Sequence, residues 1–357
     1  MVTPVAEINL GALQHNLGVV RRCAPHSKVL AMLKANAYGH GLVRVARALP
    51  DADAFAVARL DEALILRNAG ITQPIVVMMG FAKANELQLL AEYDLQSIVH
   101  SDYQIDHLYQ TPLARPITVW LKIETGLGRL GFLMTEVKAA YQRLMACPQV
   151  VKPICFMSHF ASAERLDNPK TLQQLIRFQE ITEDFVGPKS IAKSAAIMAA
   201  PQTHLDWVRP GVMLYGASPF PDEVGQDRDL QVVMTVKSEL ISVKRLSTGE
   251  TVGYGETWRC ETDLPVGVVS FGYADGYPRH ISPGAPVLIH GVRCPIIGRV
   301  SMDMITVDLR PCPHAKVGDV VTLWGEGLPV EVIARCANTV PYTLMVGLTR
   351  RVRVVEK

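Results

Sequence analysis

The segment Lys28-Val29-Leu30-Ala31-Met32-Leu33 is an apolar run, and it ends directly on Lys34, followed by Ala35-Asn36-Ala37-Tyr38-Gly39-His40-Gly41. A short apolar run of this kind reads as a buried strand, so Lys34 leaves the strand end on a long, flexible stem. Apolar surroundings disfavour the charged ammonium, and the neutral amine is a nucleophile that forms a Schiff base with a carbonyl cofactor or substrate. The glycines of Tyr38-Gly39-His40-Gly41 make a turn through which backbone and a phenol can approach an anion such as phosphate. An isolated lysine at a strand end is more often a surface residue with a snorkelling stem. The residues around Lys34 favour chemistry instead.

The elements that must position such a lysine are legible in the apolar periodicity. Eight apolar runs, near residues 28–33, 54–58, 74–79, 96–100, 117–123, 152–158, 190–194 and 207–216, alternate with longer helical segments such as 60–69, 83–92, 136–146 and 169–185. Asn168 is the expected N-cap of the last of these, with Pro169 in its first turn. Strand–helix units repeated in this way fit a closed TIM-like (β/α)8 barrel, whose active site gathers at the carboxyl ends of the strands. After about residue 225 the helical segments nearly vanish, and strand-like runs separated by turn residues indicate an all-β C-terminal domain. The expected division is therefore residues 1–225 and 226–357. The opening Val5–Leu10 run and the helical pattern that follows it fit either half.

Several residues stand where barrel chemistry would be sought. Lys122 lies on the fifth run and Arg129 just beyond it, in Thr125-Gly126-Leu127-Gly128-Arg129-Leu130-Gly131. Ser194 closes the seventh run, and Arg209 stands in Trp207-Val208-Arg209-Pro210-Gly211-Val212, late in the barrel, where phosphate sites commonly form. Three of them have a plainer reading: Lys122 as a lysine snorkelling from its strand, Arg209 as a surface ion pair and Ser194 as a helix cap, which uses the same geometry as a phosphate site. Taken alone, Tyr254 in Val252-Gly253-Tyr254-Gly255 is a turn tyrosine, Ser301-Met302-Asp303-Met304 a strand end with a turn-forming aspartate, and Tyr273 a packing aromatic in a hairpin.

Composition narrows the classes. With 357 residues, of which 49% are hydrophobic and 20% charged, the chain can bury one large core or two moderate ones, and two domains are expected. Its net charge of +2 is spread along the length without a basic stripe, so nucleic acid is not an expected partner. No segment approaches the roughly 18 uninterrupted apolar residues of a membrane span, and the opening residues lack a cationic stretch followed by an apolar one; a cytoplasmic protein is expected. The seven cysteines are odd in number and form no CxxC pair, which favours reduced thiols over disulfides or a metal site.

The octet Lys34-Ala35-Asn36-Ala37-Tyr38-Gly39-His40-Gly41 resembles the cofactor-lysine motif of the alanine racemases. The resemblance continues through GLGRLGF, MSHFA, DWVRPGVMLYG, VGYG, GYADGYPR and VSMDM, in the family's order. It implies a fold-type III pyridoxal-phosphate barrel with a carboxyl-terminal β-domain, in a head-to-tail homodimer with shared sites, interconverting L- and D-alanine and so supplying D-alanine for peptidoglycan. Lys34 would hold pyridoxal 5'-phosphate and remove the α-proton of the D-isomer, while Tyr254, from the second subunit, would serve the opposite face. A tyrosine base needs a neighbour that stabilises phenolate, and the resemblance offers His159 with Arg209 behind it. Arg209 would face the pyridine nitrogen, and a guanidinium donates to that atom but hardly protonates it, which favours racemisation over transamination. Gly211 and Val212 would offer backbone N–H groups to the phosphate, aided by Tyr38, Ser194 and Tyr342. Arg129 would contact the cofactor's phenolic oxygen and the substrate carboxylate, oriented by a carbamylated Lys122. The Met302 N–H would bind the same carboxylate, Asp303 would tune its surroundings, and Tyr273 with Tyr342 would narrow the entrance enough to reject larger side chains.

The fit is loose in places. Lys193 precedes Ser194 where many members have asparagine, and would either add a cation near phosphate or point outward; Leu127 replaces a frequent methionine. A decarboxylase of the same fold would not need the GYG tyrosine, and its glycine-rich phosphate motif is not evident. A non-catalytic pyridoxal-phosphate carrier would lack the second domain. A broader-specificity racemase uses much the same residues, and biosynthetic and catabolic duties leave the same motifs.

Overall fold

The structure, a computed structural model, describes residues 3–357. Eight short strands, β2 (Lys28–Met32), β3 (Ala54–Val57), β4 (Ile75–Val77), β5 (Leu95–Val99), β6 (Val119–Lys122), β7 (Cys155–Met157), β8 (Lys189–Lys193) and β9 (Trp207–Arg209), follow the opening strand β1 (Val5–Ile8) and the helix Leu10–Cys23. Each of the eight pairs in parallel with the next, and β9 returns to β2 through Lys28↔Trp207 and Val29↔Val208, closing the barrel. The strands are apolar on successive residues rather than alternately because both faces are covered: β3 and β4 are buried throughout.

Helices Leu60–Asn68, Ala84–Glu92, Val137–Ala146 and Lys170–Ile181 fall within a few residues of the expected segments. The last is led by Pro169, while the Asn168 Oδ1 accepts from the Lys170 N–H at 2.9 Å, as an N-terminal cap should. The starts of β4 and β5 are tied to one side chain. Arg67 donates to the carbonyls of Ile71 and Gln73, and to those of Tyr93 and Asp94, at 2.7–2.9 Å.

The second unit is built on β1 and nine further strands: β10 (Met234–Leu246), β11 (Thr251–Val252), β12 (Trp258–Arg259), β13 (Leu264–Val269), β14 (Pro286–Ile289), β15 (Val292–Pro295), β16 (Ile305–Asp308), β17 (Val320–Trp324) and β18 (Arg353–Glu356). The main sheet runs β15-β14-β17-β10-β1-β18, with β13 joining β10 to β16, and β11 with β12 forms a separate hairpin. Two short helices, Val330–Cys336 and Pro341–Gly347, make this unit sheet-rich rather than purely β.

The expected division at residue 225 needs correction at its beginning. By contact, one unit holds Gln14–Ala37 and Gly41–Leu214, and the other holds the opening segment to Leu13, Tyr38–His40 and Tyr215–Lys357. The physical reason is pairing: β1 is hydrogen-bonded on both edges, antiparallel to β10 and parallel to β18, so its backbone is satisfied only within the sheet. Among the described residues, no helix is long and apolar enough to cross a membrane.

Candidate active site

Lys34 stands two residues beyond the end of β2. The chain then turns with the opposite hand: Ala35, Asn36, Ala37 and Tyr38 all have φ of +53 to +54°. A left-handed turn costs non-glycine residues about 1–2 kcal/mol each, so four in succession require support. Some comes from the backbone. The Ala37 N–H donates to the Leu33 carbonyl at 2.7 Å, the Gly41 N–H to that of Asn36 at 3.0 Å, and the Leu42 N–H to the Asn36 Oδ1 at 2.8 Å. Lys34 keeps access to solvent, yet its amine is held below its ordinary pKa of 10.5, first by burial and then by Arg129 and Arg209, with Glu62 opposing them.

Lys122, the last residue of β6, is buried, and its amine lies well below the ordinary lysine range. Burial is the main cause, followed by the charges of Arg209 and Arg129; Glu124 opposes and Lys34 adds to the lowering. Glu124 organises the loop beyond β6. Its carboxylate accepts from the backbone N–H groups of Gly126, Leu127 (2.6 Å) and Arg129 (3.1 Å). Burial would raise its pKa, but these N–H groups, with that of Gly128, hold it below the usual value. Arg129 itself is exposed on this loop.

Arg209 ends β9 and is buried, which lowers its pKa to about 9. Its acceptors are all neutral. Nη1 donates to the Ser190 Oγ at 2.6 Å, and Nη2 to the carbonyls of Ser158 (2.6 Å) and Ile191 (3.2 Å) and to the His159 Nδ1 (3.2 Å). Among the described residues none accepts from its Nε, which leaves that N–H as an unused donor. His159 is held far below its ordinary pKa by burial, then by Lys122 and Arg209, and is neutral. A guanidinium only donates, so the Nδ1 of His159 is bare and its Nε2 carries the hydrogen.

Ser194 begins the helix Ser194–Ala199. Its Oγ accepts from the Gly211 N–H at 2.9 Å and lies 3.5 Å from the Met213 N. The Gly211 N–H therefore has a partner within the chain, and Val212 begins a short 3-10 turn, Val212–Tyr215. Lys193 is paired with Glu164 at 2.8 Å, so its cation already has a counter-charge.

The remaining predicted residues lie in the sheet-rich unit. The Tyr38 ring stacks on Tyr215 at 4.7 Å and tilts against Tyr342 at 5.6 Å, and burial pushes its phenol above the ordinary range. A side chain at Gly39 would sit 2.1 Å from the Met345 carbonyl, which reserves that position for glycine. Tyr254 opens a turn between two positive-φ glycines and is 69% exposed. Tyr273 belongs to a turn rather than a hairpin. Its N–H donates to the Ser301 carbonyl at 3.1 Å, and the Ala274 N–H donates to that of Met302 at 2.9 Å, which docks the Tyr273 loop on the Met302–Asp303 loop. Arg351 bridges the same two loops, pairing with Asp275 (3.2 Å) and Asp303 (2.7 Å).

Residue types alone did not single out the groups that hold these side chains. Ser190 and Ser158 carry Arg209; the Ser158 Oγ is 2.8 Å from the Thr125 Oγ1, and the buried Gln174 donates to both Thr125 and the His159 carbonyl. Serine, threonine and glutamine are ordinary surface residues by composition. The available signal was position, because Ser190 falls on β8 and Ser158 directly follows β7, where an unpaired hydroxyl would be costly.

A closed parallel barrel with a lowered-pKa lysine at the end of its first strand, and further cations on later strand ends, defines a lysine-bearing (β/α)8 enzyme. Comparison with known proteins is more specific. The family described as "Alanine racemase, N-terminal domain" matches residues 8–219, and "Alanine racemase, C-terminal domain" matches 233–356. The alanine racemase of Aeromonas hydrophila is 50% identical over 352 residues, covering 99% of each chain, and that of Coxiella burnetii is 48% identical over 356 residues, covering 98% of each. The crystal structure of the biosynthetic alanine racemase from Pseudomonas aeruginosa superposes with a TM-score of 0.97 at 41% identity, with both chains fully covered. The chain belongs to the alanine racemase family.

Proposed function

We propose that the protein interconverts L-alanine and D-alanine with pyridoxal 5'-phosphate bound through Lys34, in a site completed by Tyr254 of a second copy. The observation that carries this reading is the amine of Lys34, kept towards its neutral, nucleophilic form among Arg129, Arg209 and Lys122. The donor set fits the cofactor. Two arginines and two basic amines face only Glu62 and Glu124 within the barrel unit, a balance that suits a phosphate and a substrate carboxylate. The unclaimed Nε–H of buried Arg209 suits a ring-nitrogen acceptor.

When bound, the cofactor supplies an electron sink that makes the α-proton of alanine removable. Lys34 then removes or returns that proton on one face and Tyr254 on the other, since inversion at a planar carbon needs a proton carrier on each side. Ser194, Gly211, Val212, Tyr38 and Tyr342 would hold the phosphate. Arg129 and the Met302 N–H would hold the substrate carboxylate, with Asp303 fixed by Arg351 beside it. Carbamylation of Lys122 would replace one cation of the cluster by an anion able to orient Arg129. Tyr273 and Tyr342 would narrow the entrance to alanine-sized side chains. The D-alanine formed would serve peptidoglycan synthesis.

Incubating the cofactor-loaded protein with L-alanine in deuterium oxide tests the reading. Optical rotation decaying to zero with α-deuteration is expected. Carbon dioxide release would indicate decarboxylation, and a coloured protein that leaves alanine unchanged would be a carrier.

A further inference from the structure

The carboxylate of Glu62 ties together the exits of two neighbouring barrel strands. Its Oε1 accepts from the Asn36 N–H at 3.3 Å, just beyond β2, and its Oε2 accepts from the N–H groups of Ala58 (2.8 Å) and Arg59 (3.3 Å), just beyond β3. Glu62 is the third residue of the helix Leu60–Asn68, and reaching back to Arg59 is the ordinary duty of a glutamate there. Capping does not explain the bond to Asn36.

Asn36 sits inside the left-handed run Ala35–Tyr38. Successive residues in that region persist only where the surroundings over-determine them, and such strain concentrates at functional sites. The bonds within the turn link it to itself, to Leu33 just past β2 and to Leu42 beyond it. Glu62 adds a tether to a different strand and a rigid helix. It also brings negative charge to a neighbourhood dominated by Arg129 and Arg209, since the other carboxylate there, Glu124, is spent on the N–H groups of its own loop.

We propose that Glu62 is a positioning residue for Lys34, fixing the left-handed turn from which the amine projects and balancing the cations around it. The inference rests on Lys34 being the cofactor lysine and a proton carrier. A glutamine at position 62 can still accept at one oxygen, but its NH2 group would face a backbone N–H, and the charge is gone.

The test uses cofactor-loaded wild type, Glu62→Gln and Glu62→Ala. Expected for Glu62→Gln is a kcat lowered about ten-fold with the KM for alanine within about two-fold, because Glu62 orients the amine without touching substrate. The acid limb of the kcat profile should also move to lower pH, because an amine that has lost a nearby carboxylate gives up its proton more readily. Hydrogen exchange at the Asn36 amide should quicken in both variants. Wild-type kcat, pH limb and exchange in Glu62→Gln would overturn the proposal, as would a loss of kcat that follows thermal stability with the pH limb unmoved. If Glu62→Ala does not fold, Glu62→Gln decides. If wild type does not racemise alanine, the functional reading fails, whereas normal wild-type activity with an unaltered Glu62→Gln rejects the positioning role alone.

Discussion

The guanidinium of Arg209 donates to the Nδ1 of His159 across 3.2 Å, which requires that imidazole to be neutral. Burial, Lys122 and Arg209 all disfavour a second proton on the ring. The folded-state pKa of His159 is therefore depressed, while in the unfolded chain it returns to about 6.5. The associated stability is fully present above that value and is lost as pH falls, because the unfolded state binds the proton first. Denaturation midpoints should drop between pH 7 and 5, and His159→Gln should flatten that dependence. An equally steep slope in the variant would assign it to other groups.

Lys34 is expected to be indispensable, and charge cannot replace it. Lys34→Ala should lower turnover at least about a thousandfold, since a proton carrier and a covalent anchor disappear together. Lys34→Arg should fare no better, because a guanidinium stays protonated and is no nucleophile. Both variants should keep their melting temperature within a few degrees, the residue being solvent-accessible beyond the strand. Turnover that survives either change excludes Lys34 as the anchor.

Lys122 makes two predictions from one cause. Its amine is buried beside like charges, and among the described residues none accepts a hydrogen bond from its Nζ. In bicarbonate-free buffer, Lys122→Met should raise the unfolding free energy at pH 7 by about 1–2 kcal/mol, by removing an amine that burial and the charges of Arg209 and Arg129 disfavour. The folded pKa lies below the unfolded one, so wild-type stability should rise with pH towards 10.5 and the advantage of the variant should shrink. With labelled bicarbonate, the neutral amine should attack carbon dioxide and lose a proton, giving a carbamate carbon signal by NMR that is absent from Lys122→Met. No such signal would leave Lys122 a free amine.

Legibility followed the range of the interaction that fixes each feature. Barrel strands were visible because burial on both faces writes itself as consecutive apolar residues, as in Phe55-Ala56-Val57. The partners of β1 were not, because Val5–Ile8 pairs with strands more than 200 residues away in sequence, and pairing register carries no local mark. Lys34, Arg129 and Arg209 were visible as charges at strand ends. The left-handed turn behind Lys34 was not, since of Ala35, Asn36 and Ala37 only asparagine leans that way; the glycines at 39 and 41 marked a turn but placed it late. Glu62 looked like a capping glutamate, and its bond to Asn36 needed the fold.

Tyr254 supports the most discriminating prediction. At 69% exposure on a single chain its phenol is poorly protected for a proton carrier, and the proposal assigns it to the site of a second copy. Tyr254→Phe should lower racemisation in both directions by about 10²–10⁴-fold, since one face loses its carrier. Exchange of the D-alanine α-proton with deuterium oxide should survive, because Lys34 serves that face unaided. Assembly can be tested with two inactive proteins. In a mixed dimer of Lys34→Ala and Tyr254→Phe chains, one site combines both defects, whereas the other combines the intact Lys34 of one chain with the intact Tyr254 of the other. Random re-association should thus restore up to about a quarter of wild-type activity. If each site were built from a single chain, every site in the mixture would carry one defect and no activity would return.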